Sequence, residues 1–124
     1  MAQALNVLLV DDDELVLGTL EDMLADLGHH VITANDGDKA LKKLSEKSFD
    51  LLITDVIMPV KEGIETVSEV RRLYPGIKII AMSGGGRTKN YDFLNLALKI
   101  GANAALQKPF HAKDLREAIE KSGV

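Results

Sequence analysis

The chain contains no cysteine, so disulfides, thiolate metal sites and cysteine nucleophiles are excluded before any pattern is read. The opening "MAQALNVLLVDDDE" also lacks a basic start and a cleavable apolar stretch of signal-peptide type. No apolar run approaches the roughly 20 residues that a bilayer-spanning helix needs. Positive charge is not in excess either. The formal net charge is -4, whereas phosphate backbones are met by basic faces. These absences set the expectation of a cytoplasmic protein, without membrane insertion and without direct nucleic-acid binding. What remains, 124 residues that are 46% hydrophobic and 27% charged, suits one soluble domain with a real core.

Along that domain, apolar strand-like runs alternate with segments of helical period. The spacing predicts strands at 5–10, 30–34, 50–54, 77–82 and 103–107. Between the first two, Val16, Leu17, Leu20, Met23, Leu24 and Leu27 recur at three- and four-residue steps, an amphipathic helix ending at Gly28. Asp36 is placed to cap a second helix with Ala40, Leu41 and Leu44 on its apolar face. Ile64, Val67, Val70 and Leu73 mark a third, stopped by Pro75-Gly76. Phe93, Leu94, Ala97 and Leu98 mark a fourth, closed by Gly101, and Leu115, Ala118 and Ile119 mark the last. Alternation of this kind predicts an α/β fold, a parallel sheet covered on both faces.

In such sheets the functional crevice lies beyond the carboxyl ends of the strands. The residues expected there are Asp11, Asp12 and Asp13 after the first strand, Asp55 after the third, Ser83 after the fourth and Lys108 after the fifth. Acids at Asp11, Asp12 and Asp55 suit a hard divalent cation such as Mg²⁺. A small hydroxyl and a lysine suit phosphoryl oxygens, and an aspartate can itself accept a phosphoryl group. Each element alone has a blander reading. Acids after a strand are common helix starts, and Gly84-Gly85-Gly86 lacks the pattern of a P-loop. His29, His30 and His111 have no metal-ligand spacing and read as surface or packing residues. The joint placement at four strand ends favours a site.

The stretches "LLVDDDE", "DLLITDVIMP", "GIKIIAMSG" and "GANAALQKPF", with "GHHVITANDGDKAL" between the first two, resemble the receiver domain of two-component response regulators over nearly the whole chain. The resemblance implies a flavodoxin-like (βα)5 three-layer sandwich of strand order 2-1-3-4-5, one receiver domain over residues 1–124, stand-alone or excised from a longer protein. It implies Asp55 as phosphoacceptor, Asp11 and Asp12 as the Mg²⁺ pair with Asp12 favoured as direct ligand, and the Ile57 backbone carbonyl as a further ligand. Ser83 would hold a phosphoryl oxygen, Lys108 would pair with the phosphate, and the Lys108-Pro109 peptide would be cis. The implied partners are a sensor histidine kinase or a histidine phosphotransfer protein, with a downstream protein target. The chain would promote its own phosphorylation and slow dephosphorylation, and would not be an enzyme acting on other molecules.

Three positions depart from the family's pattern: Ile57 where a polar residue is usual, Glu62 where Asp commonly precedes the glycine, and Ala105 where an aromatic usually sits. Ala105 has no ring to turn, which shifts the expected site of switching to the glycine-rich loop 83–89. Three other readings compete. A phosphorylation-independent interaction module would have no use for the acid, hydroxyl and lysine set. A hydrolase of haloacid-dehalogenase type needs an acid where Ile57 stands. A flavodoxin needs a hydroxyl-rich phosphate loop where Asp11–Glu14 would repel the ligand.

Overall fold

The computed structural model describes residues 4–56, 63–84 and 90–124. Strands and helices alternate: β1 (Asn6–Val10), α1 (Glu14–Asp26), β2 (His30–Ala34), α2 (Gly37–Glu46), β3 (Leu51–Asp55), α3 (Gly63–Leu73), β4 (Lys78–Gly84), α4 (Asn90–Ile100), β5 (Ala104–Lys108) and α5 (Ala112–Ser122). All neighbouring strands pair parallel, in the order 2-1-3-4-5, as expected. Because successive strand residues face opposite sides, the central strands feed two cores. Leu8, Val10, Leu52 and Ile79 pack on the side of α2, α3 and α4. Val7, Leu9, Ile53 and Ile80 pack on the side of α1 and α5. That double burial is why these strands are apolar at both parities.

The helix ends follow local chemistry. Asp13 caps α1, its carboxylate accepting from Leu15 N–H at 2.9 Å, and Asp36 caps α2 by accepting from Lys39 N–H at 2.7 Å. Just past α1, Gly28 takes φ 93°, a left-handed conformation open to glycine at little cost. Two residues assigned to apolar helix faces are instead well exposed, Leu73 (48%) and Leu98 (42%). Leu73 is the last residue of α3 and lies past the helix's packed stretch, whereas Thr66 is fully buried beside Val67. Phe93 lies where the side chains are not described.

The strands extend further than the apolar runs suggest. The third to fifth begin one residue later than predicted and run on to Asp55, Gly84 and Lys108, with Asp55 paired to Met82, Ser83 to Gln107 and Gly84 to Lys108. Backbone pairing does not stop where hydrophobicity does, so three residues expected just after the strands are held within them.

At the opposite end of the sheet, Arg71 of α3 ties the returning loops together. Its guanidinium donates to Pro75 O (2.8 Å), Ile77 O (2.7 Å), Gly101 O (2.8 and 3.1 Å) and Asn103 Oδ1 (2.8 Å). A planar five-donor fork can do this and an ammonium cannot. Arg71→Lys is therefore expected to cost about 2 kcal/mol, read as a lower urea midpoint with unchanged slope. An unaltered midpoint would show that these bonds contribute nothing net.

His29 contributes a pH dependence. Its Nδ1 accepts from Leu5 N–H at 3.1 Å, which requires the neutral ring. Burial, and secondarily the charge of His30, hold its pKa below the ordinary histidine value. A base with a depressed folded-state pKa contributes stability above its unfolded pKa and loses it as pH falls through the folded one. Stability should thus decline as pH drops from about 6.5 toward 5, and His29→Gln should flatten that decline. Identical slopes in urea titrations of both proteins would refute this.

Candidate functional site

The carboxyl ends of β1, β3, β4 and β5 deliver the chemistry. Asp11 follows β1 and is fully buried, with its N–H bonded to Ala34 O at 3.2 Å. Asp55 ends β3 and is 5% exposed. Lys108 ends β5 and reaches across, its ammonium 2.7 Å from Asp11 Oδ2 and 3.1 Å from Asp55 Oδ2. The other oxygen of Asp11 accepts the N–H of Asp13 at 2.9 Å. Asp12 is exposed and joins the group: carboxylate oxygens of Asp11, Asp12 and Asp55 all lie within 4.8 Å of one another.

Charge decides what such a group can do. Two like charges at this spacing repel by about 3.5 kcal/mol at an effective dielectric of about 20. Burial pulls the Lys108 pKa down. It is nonetheless raised above the ordinary lysine value, because the hydrogen bond to Asp11, the charges of Asp55 and Asp11 and the hydrogen bond to Asp55 together outweigh desolvation. Lys108 is accordingly a fixed cation at neutral pH. Three carboxylates against one ammonium leave a surplus of two negative charges, which one divalent cation would neutralise. The donors are all oxygens, as Mg²⁺ prefers, and the exposed Asp12 keeps one side open to the waters it retains.

Ser83 lies on β4, at the same end of the sheet as Asp55. It is fully buried, and its hydroxyl has no hydrogen-bond partner among the described residues. A buried hydroxyl without a partner is costly and is suited to donate to an incoming oxyanion. The Lys108-Pro109 peptide is cis, as expected. The expected Ile57 ligand, Glu62 and the loop 85–89 lie outside the described residues. Ala105 is half-buried and packs against the core on the α4 side.

Two contributors differ in how far the sequence foreshadows them. The acidic run 11–14 holds both readings at once: Asp11 and Asp12 join the cluster, while Asp13 caps α1 and steadies Asp11. The other is Gly63, buried at the start of α3, where an added Cβ would run into Asp55 O and Val56 Cα. A glycine a few residues past Pro59 is the only signal the sequence offers for this contact.

Comparison with known proteins agrees with this geometry. A family model described as the response regulator receiver domain matches residues 7–120, and the chain belongs to that family. It is 34% identical over 120 residues to the response regulator receiver protein CpdR of Brucella abortus, covering 93% of each chain. It is 38% identical over 109 residues to the transcriptional regulatory protein CpxR of Klebsiella pneumoniae, covering 88% of this chain and 45% of CpxR. This chain thus spans about half the length of CpxR, and likewise of the probable C4-dicarboxylate response regulator DctR of Bacillus subtilis. Among solved structures, chemotaxis response regulator CheY4 of Vibrio cholerae superposes with a TM-score of 0.85 at 31% identity, covering 97% of this chain and 99% of that one. The fold, the family and a place in two-component signalling follow. Among the described residues no helix is long and apolar enough to cross a membrane.

Proposed function

We propose that this receiver accepts a phosphoryl group on Asp55 from the phosphohistidine of a sensor histidine kinase or histidine phosphotransfer protein. The reaction is Mg²⁺-dependent, takes place in the cytoplasm and switches binding to a downstream protein target. The observation that carries this reading is the Lys108 ammonium bridging Asp11 and Asp55 at the end of the sheet where the buried Ser83 hydroxyl has no partner among the described residues.

In the step, a carboxylate oxygen of Asp55 forms a bond to phosphorus as the P–N bond to the donor imidazole breaks. The bonding pair leaves with the nitrogen, and an acyl phosphate results. Asp11, Asp12 and Asp55 would hold Mg²⁺, which when bound supplies positive charge to the phosphoryl oxygens. Lys108 can move from sharing two carboxylates to pairing with a phosphoryl oxygen, and Ser83 can donate to another. The apolar strip beside Lys108, from Leu15, Val16, Met23 and Phe110, offers a donor protein a surface next to the acids. The chain acts on itself and on no other molecule, so it is a phosphoacceptor with slow self-dephosphorylation and not an enzyme in the usual sense.

The test is intact and peptide mass spectrometry after incubation with phosphoramidate, with Mg²⁺ or with chelator. One phosphoryl adduct on Asp55, formed only with Mg²⁺, is expected; an adduct elsewhere, or none, overturns the proposal. Asp12→Ala should weaken Mg²⁺ binding on the order of tenfold or more, measured by titration calorimetry. Unchanged affinity would move the metal site away from Asp12.

A further inference from the structure

We infer that the outer edge of β2 is a docking groove for an extended acidic segment of a partner protein. β2 ends the sheet order and, among the described residues, pairs only with β1. His30 donates its N–H to Leu5 O at 2.9 Å, and Ala34 accepts from Asp11 N–H at 3.2 Å, so both point at β1. Backbone groups along a strand alternate in side; those of Val31 and Thr33 therefore face outward. The edge carries no proline and no acid within "HVITA", so its outward donors and acceptors form a template for one more strand.

The walls of the edge say which strand. A cavity of about 450 Å³ lies over it, with Thr33 on its floor, Glu14 of α1 on one side, and Lys39, Lys42, Lys43 and Glu46 of α2 on the other. Lys39, Lys42 and Lys43 stand at three- and four-residue spacing and share one helix face. Lys39 is steadied by donating to Asn35 Oδ1 at 2.9 Å. Lys39 and Lys43 are separated by about 6 Å along the helix, close to the roughly 7 Å between alternate side chains of an extended chain. A segment with acids at alternate positions would set them against these lysines and turn its other side chains toward Leu17 of α1. Lysines beside an edge guard it against pairing with a like edge. A second copy of this strand would bring two lysine sets together, and the same lysines select an acidic partner. This surface is separate from the phosphorylation chemistry and does not depend on it.

The experiment uses the intact chain and a fluorescent, capped peptide of alternating glutamate and valine, followed by anisotropy. Binding is expected, weakening as salt rises, with none for the matching lysine–valine peptide. Lys42→Glu/Lys43→Glu should weaken it about tenfold. Two further peptides carry N-methyl groups on one or the other alternating set of amides. One set should lose binding and the other should stay within about twofold of the parent, because a paired strand uses every second amide. Hydrogen exchange should slow at Val31 and Thr33. No binding, equal binding of the basic peptide, equal affinity of both N-methylated series, or undiminished binding by the double variant each overturns the inference. Equal N-methylated affinities would show charge attraction alone.

Discussion

Asp55→Ala is expected to abolish phosphorylation by a small phosphodonor in Mg²⁺ while leaving the fold intact. The reason for the first half is chemical. Asp55 is the cluster's carboxylate that ends β3, held in register opposite Met82 and one residue from Ser83 along β4. An alanine there offers no oxygen to attack phosphorus. Asp11 is poorly placed to substitute, since both of its oxygens are engaged, one by Lys108 at 2.7 Å and one by Asp13 N–H at 2.9 Å. The second half follows from charge. Removing Asp55 costs Lys108 one of its two ion pairs but relieves repulsion with Asp11 and Asp12, and Lys108 keeps the shorter contact. The two effects oppose, so stability should change by no more than about 1 kcal/mol. Intact mass after treatment, beside a thermal melt, measures both. A persisting adduct on the variant would sink the assignment of Asp55.

Gly63→Ala carries the second large effect, this time on the fold. Gly63 begins α3 against the strand that holds the phosphoacceptor, and the methyl group would meet Asp55 O and Val56 Cα. These are backbone atoms, pinned by β3–β4 pairing and by Val56 N–H to Met82 O at 2.9 Å, so no side chain can swing aside. Overpacking of a rigid site costs about 3 kcal/mol or more, a fall in melting temperature of roughly 10 °C. What survives should also phosphorylate more slowly, because the shift falls on Asp55 itself. A Gly63→Ala protein that melts like the parent would mean that α3 can back away freely. Gly18→Ala is the control: an added Cβ there meets nothing within 4 Å, and alanine suits a helix interior better than glycine.

Much of this was legible in the sequence, for reasons that differ by element. The runs Val7–Val10 and Ile79–Ile80 betray buried parallel strands because both faces are covered, and Asp13, Asp36 and Gly28 mark helix ends through interactions with residues a few positions away. The convergence of Asp11, Asp12, Asp55, Ser83 and Lys108 was readable because a parallel sheet sends all its strand ends to one edge. The boundaries were less so. Asp55, Ser83 and Lys108 look like loop residues by hydropathy, yet pairing with neighbouring strands keeps them in the ladder, which holds the site more firmly than a loop would. The roles of Gly63 and Arg71 had no local signature because their partners lie in other elements: Gly63 presses on the end of β3, and Arg71 donates to the carbonyl of a residue 30 positions away.

The sequence by itself determined the alternation of elements, the sheet class, the chemical inventory of the site and the exclusion of thiol chemistry, since each depends on composition or on near neighbours. Only the tertiary structure decided how that inventory is arranged. It chose Lys108 as the bridge to acids 97 and 53 residues away, left the Ser83 hydroxyl without a partner among the described residues, pressed Gly63 onto the Asp55 backbone and set three lysines beside the β2 edge. Those outcomes depend on distances between segments that no local periodicity encodes. They emerge once the two cores fix where each strand and helix lies.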